Sequence, residues 1–184
     1  MPDEARPLPL VDDLNAFYWR AGRDGVLRFQ QCHGCAALLH PPQPICRYCH
    51  SQDLGVAEVS GRGVVVAATL NHQLWDPAFP PPFVVASVAI DEDPRVRVIT
   101  NIVDAAAGDV VVGQRVRVCF EHVEDVWLPM FMRERIDGEP VAAQLPDDDI
   151  APGDHARRIR PMVRLDKFED RVAITGIGMS AVGR

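Results

Sequence analysis

Alternating polar and apolar positions run through the middle of the chain and predict a domain built of β-strands. Residues 95–98 and 115–118 both read Arg-Val-Arg-Val, which is the two-residue period of strands with one buried face. Five strands joined by mostly short turns within about 80 residues favour a small closed barrel such as an OB-fold. The predicted strands are 56–60, 63–72, 83–91, 95–103 and 114–122, with 126–133 as a continuation or a sixth strand.

The hydrophobic period changes on both sides of this region. Residues 11–21 place Leu14, Phe17 and Tyr18 on one stripe and predict a helix, and residues 26–30 predict a second short turn or helix. Far along the chain, DGEP, PDDD and APGD are typical of a linker, and RVAITGIGMSAVGR combines a strand-like run with a glycine turn. The segments are therefore 1–30 (helical), 31–55 (cysteine-rich), 56–135 (barrel), 136–170 (linker) and 171–184 (tail).

Four cysteines at paired spacing predict a metal site. Cys32 and Cys35 form one C-x-x-C loop, and Cys46 and Cys49 form another ten residues later. Each loop can supply two corners of a thiolate tetrahedron, which is the geometry that structural Zn²⁺ adopts. A hairpin through residues 36–45 would close the distance between the loops. Because four thiolates leave no open position, the predicted zinc is structural rather than catalytic.

Other uses of these cysteines fit less well. Cys46-x-x-Cys49-His50 matches the attachment pattern of c-type haem, but haem would leave the other pair without a role. A redox dithiol needs only one C-x-x-C, and disulfides need an oxidising compartment. His33 or His50 could replace a thiolate as ligands, although four cysteines already complete the set. Cys119 lies in mid-strand and is interpreted as a small core residue.

Charge and hydropathy restrict the classes of partner. The net charge is −7 and no segment is basic, so the electrostatic signature of a nucleic-acid surface is missing. The opening residues MPDEARPLPL carry acids where a signal peptide has positive charge, and no apolar run reaches the roughly 18 residues of a membrane span. We therefore expect a soluble cytoplasmic protein that binds neither membranes nor nucleic acid.

Motifs of catalysis are missing from the sequence, whereas one loop has the composition of a binding surface. His72 and Asp76 could form an acid–base pair, although the interpretation we favour is a hydrogen-bonded loop pair. The proline-rich loop 73–82 carries Trp75 and Phe79, and loops of this kind beside a barrel bind ligands or partners. Asp147-Asp148-Asp149 is interpreted as a solvated part of the linker.

The order of these segments resembles the DUF35 family. The resemblance covers residues 10–135 and rests on CHGCAALLHPPQPICRYCHSQDL, then EVSGRGVVVAATLNH, FVVASVAIDE, RVRVITNIVD and GQRVRVCFEHVED. It implies a mainly β chain with N-terminal helices, a rubredoxin-like zinc ribbon, a five-stranded OB-fold barrel and a C-terminal linker or tail. One departure is that Ala36 and His50 follow the second cysteine of each loop, where glycine is common.

The resemblance also implies a role. DUF35 proteins associate with acyl-CoA and act as partners of thiolase-fold enzymes, including retro-aldolases that shorten steroid side chains. It implies a component that is not catalytic on its own, that holds structural Zn²⁺ and acyl-CoA, and that forms a hetero-oligomer with a fused or separate thiolase-fold chain. Candidate contacts are His72, Trp75, Phe79 and Arg62.

The tail and two alternatives bear on this role. Residues 171–184 resemble the first strand and turn of a thiolase-fold chain, so they mark either the start of a fused domain or a docking tail. The first alternative function is a single-stranded nucleic-acid binder, since ribbons and OB-folds both serve there. The second is a self-contained enzyme that uses His72 and Asp76.

Overall fold

The computed structural model describes residues 7–106, 108–143 and 145. The predicted linker is described only at its start, and the predicted tail 171–184 and the acidic run 147–149 lie outside the described residues. Within that part of the chain, no helix is long and apolar enough to cross a membrane. The helical elements are α1 (Ala16–Trp19) and one 3₁₀ helix (Ala21–Asp24), and the strands are β1 (Leu27–Cys32), β2 (Leu38–Leu39), β3 (Leu54–Val59), β4 (Arg62–Asn71), β5 (Phe83–Ile90), β6 (Arg97–Asn101), β7 (Arg115–Val123), β8 (Val126–Arg133), β9 (Arg135–Ile136) and β10 (Glu139–Pro140).

The predicted helix at 11–21 is shorter than its apolar stripe suggested. Asp12 accepts hydrogen bonds on its side chain from the backbone N–H groups of Leu14 and Asn15, both at 3.0 Å. These side-chain hydrogen bonds hold residues 12–15 in a turn, as short polar side chains often do, and the carbonyl of Asp12 also accepts from the N–H of Ala16 at 2.9 Å. The α-helix therefore begins at Ala16, and Tyr18 is the residue that it buries in the core.

The second predicted helix or turn, at 26–30, is wrong, because this segment lies in strand β1. Leu27 and Phe29 are fully buried at a two-residue spacing. Between them, the half-buried Arg28 bridges Glu58 on β3 at 2.7 Å. β1 is antiparallel to β3 from Leu27↔Val59 to Cys32↔Leu54, and β2 pairs on its other side.

Strand β3 belongs to this three-stranded sheet, although the sequence pattern had assigned it to the barrel. Residues 54–59 pair with β1 rather than with the barrel, and 126–133 supplies the fifth barrel strand instead. Gly61 sits at the change of sheet with φ +71°, in the left-handed region that favours glycine. A Cβ at this position would lie 2.4 Å from Cγ1 of Val118.

The barrel consists of five strands in the order β6-β5-β4-β7-β8, with every neighbouring pair antiparallel. Its ends meet through a parallel bridge between Ile102 and Phe131. The N–H of Val103 donates to the carbonyl of Phe131 at 2.9 Å, and the Thr100 hydroxyl donates to the carbonyl of Pro129 at the same distance. This closure gives the predicted mainly β OB-fold.

One hydrophobic core spans the barrel and the three-stranded sheet. Phe29 from β1 and Tyr18 from α1 belong to the same cluster of buried side chains as Val65, Val116 and Phe131 of the barrel. A second, smaller cluster surrounds Cys32, Leu39 and Cys46. The cysteine loops are therefore attached to the barrel through β1, which carries Cys32 at its end.

Candidate functional site

The structure brings the four paired cysteines together. Their Sγ atoms all lie within 4.8 Å of one another. The closest contacts cross between the two loops: Cys32 to Cys49 at 3.4 Å and Cys35 to Cys46 at 3.6 Å. A zinc tetrahedron with bonds of about 2.3 Å places its sulfurs about 3.8 Å apart. The cluster is therefore the size of a four-thiolate metal site.

The two loops have the same backbone geometry. In the first, the N–H of Ala36 donates to the carbonyl of Cys32 at 2.8 Å, and in the second, the N–H of His50 donates to that of Cys46 at 2.9 Å. Ala36 has φ +58° and His50 has φ +61°, which are the left-handed values that glycine adopts most easily. The missing glycines therefore leave the loop geometry intact.

Burial raises the pKa values of the cysteine thiols, whereas hydrogen bonds from backbone N–H groups lower them. Burial raises the pKa of the Cys35 thiol to about 12 and also raises the pKa of Cys32. At Cys46 burial acts in the same sense, but hydrogen bonds from the N–H groups of Cys49 and Tyr48, together with those to the side chains of Cys35 and Cys32, outweigh it and lower the pKa to about 7. A divalent cation favours the thiolate form of all four, because its charge offsets the desolvation that opposes ionisation.

The histidines beside the loops lie outside this cluster. His33 is exposed, and its Nδ1 lies 2.8 Å from Oδ1 of Asp53. Among the described residues, the only group with metal-ligand geometry consists of the four cysteines. Cys119 is half-buried on β7, opposite Met130, and burial raises the pKa of its thiol.

The four candidate ligand contacts do not form one site. His72, Trp75 and Phe79 lie in or beside the loop that follows β4. Arg62 is the first residue of β4, so the length of this ten-residue strand, about 30 Å, separates it from the loop. Trp75 is 80% exposed, and its Nε1 donates to Oδ1 of Asn71 at 2.9 Å.

Phe79 lines a cleft of about 580 Å³ between this loop and the barrel. We call it the aromatic cleft. Its walls are mainly apolar, with the amide of Asn101 and the carboxylate of Glu121 as polar groups; the apolar walls include Phe79, Phe83, Ile102, Val123 and Met130. A mostly apolar cleft with a few polar groups is typical of sites for small organic ligands.

The acid–base pair suggested by the sequence is not formed. Asp76 accepts a hydrogen bond from the N–H of Ala78 at 2.8 Å and so stabilises its own loop. In the described part of the chain, no hydrogen bond or ion pair joins His72 to Asp76. The geometry therefore gives no support to a catalytic role for these two residues.

A second cleft, of about 670 Å³, contains residues that the sequence did not single out. Arg62 lines it together with three further arginines, from β7, β8 and β9: Arg117, Arg133 and Arg135. We call it the arginine cleft. The Arg-Val-Arg-Val pattern on β7 indicates that its arginines face outward. Only the strand pairing shows which arginines lie side by side.

Comparison with known proteins finds a matching family for the ribbon and another for the barrel. Residues 19–55 match the family described as "ChsH2, rubredoxin-like zinc ribbon domain", and residues 56–121 match "ChsH2, C-terminal OB-fold domain". Among solved structures, a chain of the "Ltp2-ChsH2(DUF35) aldolase" is similar, with 33% sequence identity and a TM-score of 0.62. The similarity covers 68% of this chain and 98% of that chain.

Two curated relatives are named as subunits of hydratases. The probable enoyl-CoA hydratase alpha subunit of Thermomonospora curvata is 34% identical over 131 residues, which are 71% of this chain and 40% of the relative. The 3-oxo-4,17-pregnadiene-20-carboxyl-CoA hydratase alpha subunit of Mycobacterium tuberculosis is 30% identical over 124 residues, or 65% of this chain and 39% of the relative. The chain thus matches about two fifths of the length of each.

Proposed function

Since this chain belongs to the DUF35 family, we propose that it is the accessory component of a thiolase-fold enzyme that acts on acyl-CoA. In this role the chain is not catalytic on its own and helps to form the channel that holds the CoA ester. The observation that carries the proposal is the similarity over 98% of the DUF35 chain of an aldolase. The hydratase relatives support an acyl-CoA substrate, because the name of each contains a CoA ester.

The zinc of this component is structural. Cys32, Cys35, Cys46 and Cys49 would hold it, and four thiolates leave no position for water or substrate. Its contribution is to fix the two loops and the end of β1 on the core that β1 shares with the barrel. Cysteines that are not joined in disulfides, as these are, stay reduced in a reducing compartment, which fits a cytoplasmic protein.

The loop 72–82 and the aromatic cleft are the proposed contact surface. Trp75 presents an exposed indole to a partner, and Phe79 lines a cleft suited to the apolar part of a ligand. Exposed aromatic side chains of this kind are the usual anchors of protein interfaces.

The proposal is tested by association with the thiolase-fold enzyme encoded beside or downstream of this chain. We expect the zinc-loaded chain to form a stable complex with it in size-exclusion chromatography and calorimetry. The double variant Trp75→Ala, Phe79→Ala should bind at least about tenfold more weakly, because it removes two aromatic anchors. Val56→Ala is the control, since Val56 is an exposed apolar residue on the ribbon sheet.

Three outcomes would count against the proposal. Wild-type affinity in the double variant would exclude this loop as the contact surface. Turnover of an acyl-CoA by the isolated chain would favour a self-contained enzyme. Salt-sensitive binding of a single-stranded oligonucleotide, with no binding to the thiolase-fold enzyme, would favour the nucleic-acid alternative.

A further inference from the structure

The arginine cleft reverses the charge of the molecule at one place on the barrel. The whole chain has a net charge of −7, but the charged groups lining this cleft are four guanidinium groups and two carboxylates, an excess of two positive charges. These groups are Arg62, Arg117, Arg133, Arg135, Asp104 and Glu134.

The two carboxylates are already shared between arginines. Glu134 lies 3.2 Å from Nε of Arg62 and 3.6 Å from Nε of Arg115, whose fork binds Asp91 at 2.6 and 2.8 Å. Asp104 lies 3.6 Å from Nε of both Arg133 and Arg135. The ion pairs of both acids are therefore with arginines other than Arg117, although Oε1 of Glu134 makes no hydrogen bond in the described structure.

Arg117 lacks such a partner. Its side chain makes no hydrogen bond or ion pair with any residue that the structure describes, and its cross-strand neighbour in the register of β4 and β7 is Arg62. Like charges directly opposite one another destabilise a sheet. An anion between the two arginines would turn this repulsion into attraction to both.

Arg133 provides an independent sign of a missing ligand. Its side chain is only 7% exposed, and its Nε has no hydrogen-bond partner in the described structure. Its other contacts are a hydrogen bond from Nη2 to the carbonyl of Asp104 at 2.6 Å and a longer approach to Asp109 at 3.8 Å. Buried polar groups normally have partners. The nearest acceptor to this Nε is the carboxylate of Asp104 at 3.6 Å, beyond hydrogen-bond distance, so an anion in the cleft would supply the missing hydrogen bond.

We propose that the arginine cleft binds the phosphate groups of the CoA nucleotide. Guanidinium forks match the spacing of phosphate oxygens and bind them through paired, charge-assisted hydrogen bonds. This inference rests on the proposed function for the identity of the ligand, whereas the anion site itself rests on the arginines alone.

The position of the cleft fits a ligand with one anionic and one apolar end. The arginine cleft contains Asp104 and Met132, and the aromatic cleft contains Val103, Ala105 and Met130. The two clefts are therefore lined by neighbouring residues of segment 103–105 and of strand β8. Phosphates held by the arginines would leave the remainder of a CoA ester free to extend towards Phe79.

The test uses the zinc-loaded full chain and three probes in calorimetry: CoA, adenosine 3′,5′-bisphosphate and pantetheine. Arg117→Gln should weaken binding of CoA and of the bisphosphate about tenfold or more, because it removes one charge-assisted interaction. Binding of pantetheine, which lacks phosphate groups, should not change. Binding of CoA to the wild type should also weaken as salt is raised, since exposed charges are screened.

The matched control is Arg23→Gln, which removes the same charge from an exposed position on the 3₁₀ helix. It should leave all three affinities within about twofold, because Arg23 does not line the cleft and exposed charges are screened by salt. Unchanged melting temperatures would show that both variants fold. Arg117→Lys keeps the charge but loses the fork, and an intermediate affinity would support paired hydrogen bonding.

The outcomes separate the two proposals. Equal CoA binding by wild type and Arg117→Gln would overturn the arginine cleft as the phosphate site and leave the proposed function standing. Loss of bisphosphate binding in Arg117→Gln without any binding of CoA by the wild type would support the anion site and contradict the CoA ligand. If no phosphate compound binds and Arg117→Gln instead abolishes association with the thiolase-fold enzyme, the cleft is a protein-binding surface and the inference is wrong.

Discussion

Ala36 and His50 adopt the left-handed conformation that a glycine would take without steric cost. For a residue with a Cβ, this conformation costs about 1–2 kcal/mol. Binding of structural zinc by four-ligand loops is worth about 10–16 kcal/mol near neutral pH. The strain at two positions is small beside that energy, so metal binding can impose the loop geometry on residues that do not prefer it.

At His40 a buried ring makes stability depend on pH. The ring packs against Tyr18 at 4.8 Å and Phe29 at 5.2 Å, and its Nδ1 has no partner in the described structure. Burial, with a smaller contribution from Arg47, lowers the pKa of His40 from 6.5 to about 4. Between these two values the unfolded chain binds a proton that the folded chain does not.

The contribution of His40 to stability is therefore fully present above pH 6.5 and is lost as the pH falls towards 4. At pH 5 the loss is about 2 kcal/mol. We expect the free energy of unfolding, measured by urea denaturation, to fall between pH 7.5 and pH 5 in both proteins. Because His40→Leu removes the titrating group, its decrease should be about 2 kcal/mol smaller than that of the wild type. Acid release of zinc affects both proteins, so equal losses would contradict this account of His40.

At the scale of elements, Gly61 separates the ribbon sheet from the barrel. We expect Gly61→Ala to lower the free energy of unfolding by about 3 kcal/mol, because it adds a steric overlap with Val118 to the cost of a positive φ. Gly25→Ala is the matched control: its φ is +74°, but nothing lies within 4 Å of the added Cβ. That variant should lose only about 1 kcal/mol, and equal losses in denaturant titrations would show that the overlap relaxes without cost.

Most elements could be predicted from the sequence, and the misassignments have local causes. The two-residue period marked the barrel strands because each has one buried face. Helical and strand periods cannot be separated over five residues such as 26–30, and only pairing with β3 decides in favour of a strand. The membership of β3 in the ribbon sheet likewise depends on long-range pairing, which no local pattern contains.

The same limit applies to the sites. The cysteines were found because their spacing encodes the geometry of each loop. Trp75 and Phe79 stood out by composition, but the clefts depend on which strands adjoin. Arg117 and Arg62 are 55 positions apart in sequence and opposite in the sheet, so their juxtaposition is a property of the fold.

At the scale of the molecule, the ribbon and the barrel share one core of buried side chains. Phe29 of the ribbon strand β1 packs in the core cluster of the barrel. Near the cysteines, Arg95 lies 5.2 Å from the ring of Tyr48 and forks onto Asp93 at 2.8 and 2.7 Å, so the second cysteine loop also contacts a barrel turn. Two separate contacts therefore link the metal loops to the barrel.

This coupling predicts that removal of zinc destabilises the barrel as well as the ribbon. Trp127 lies on β8 and stacks on His122 at 4.2 Å, so its fluorescence reports on the barrel once Trp19 and Trp75 are replaced by Phe. We expect zinc release and the Trp127 signal to follow one thermal transition, and a chelator to lower its midpoint by at least about 10 °C, because metal binding contributes directly to folding free energy. Cys46→Ser should have the same effect without chelator, and Cys119→Ser should not, since Cys119 lies outside the cluster. A barrel transition that keeps its temperature after zinc is removed would mean that the shared core does not transmit the stability of the ribbon.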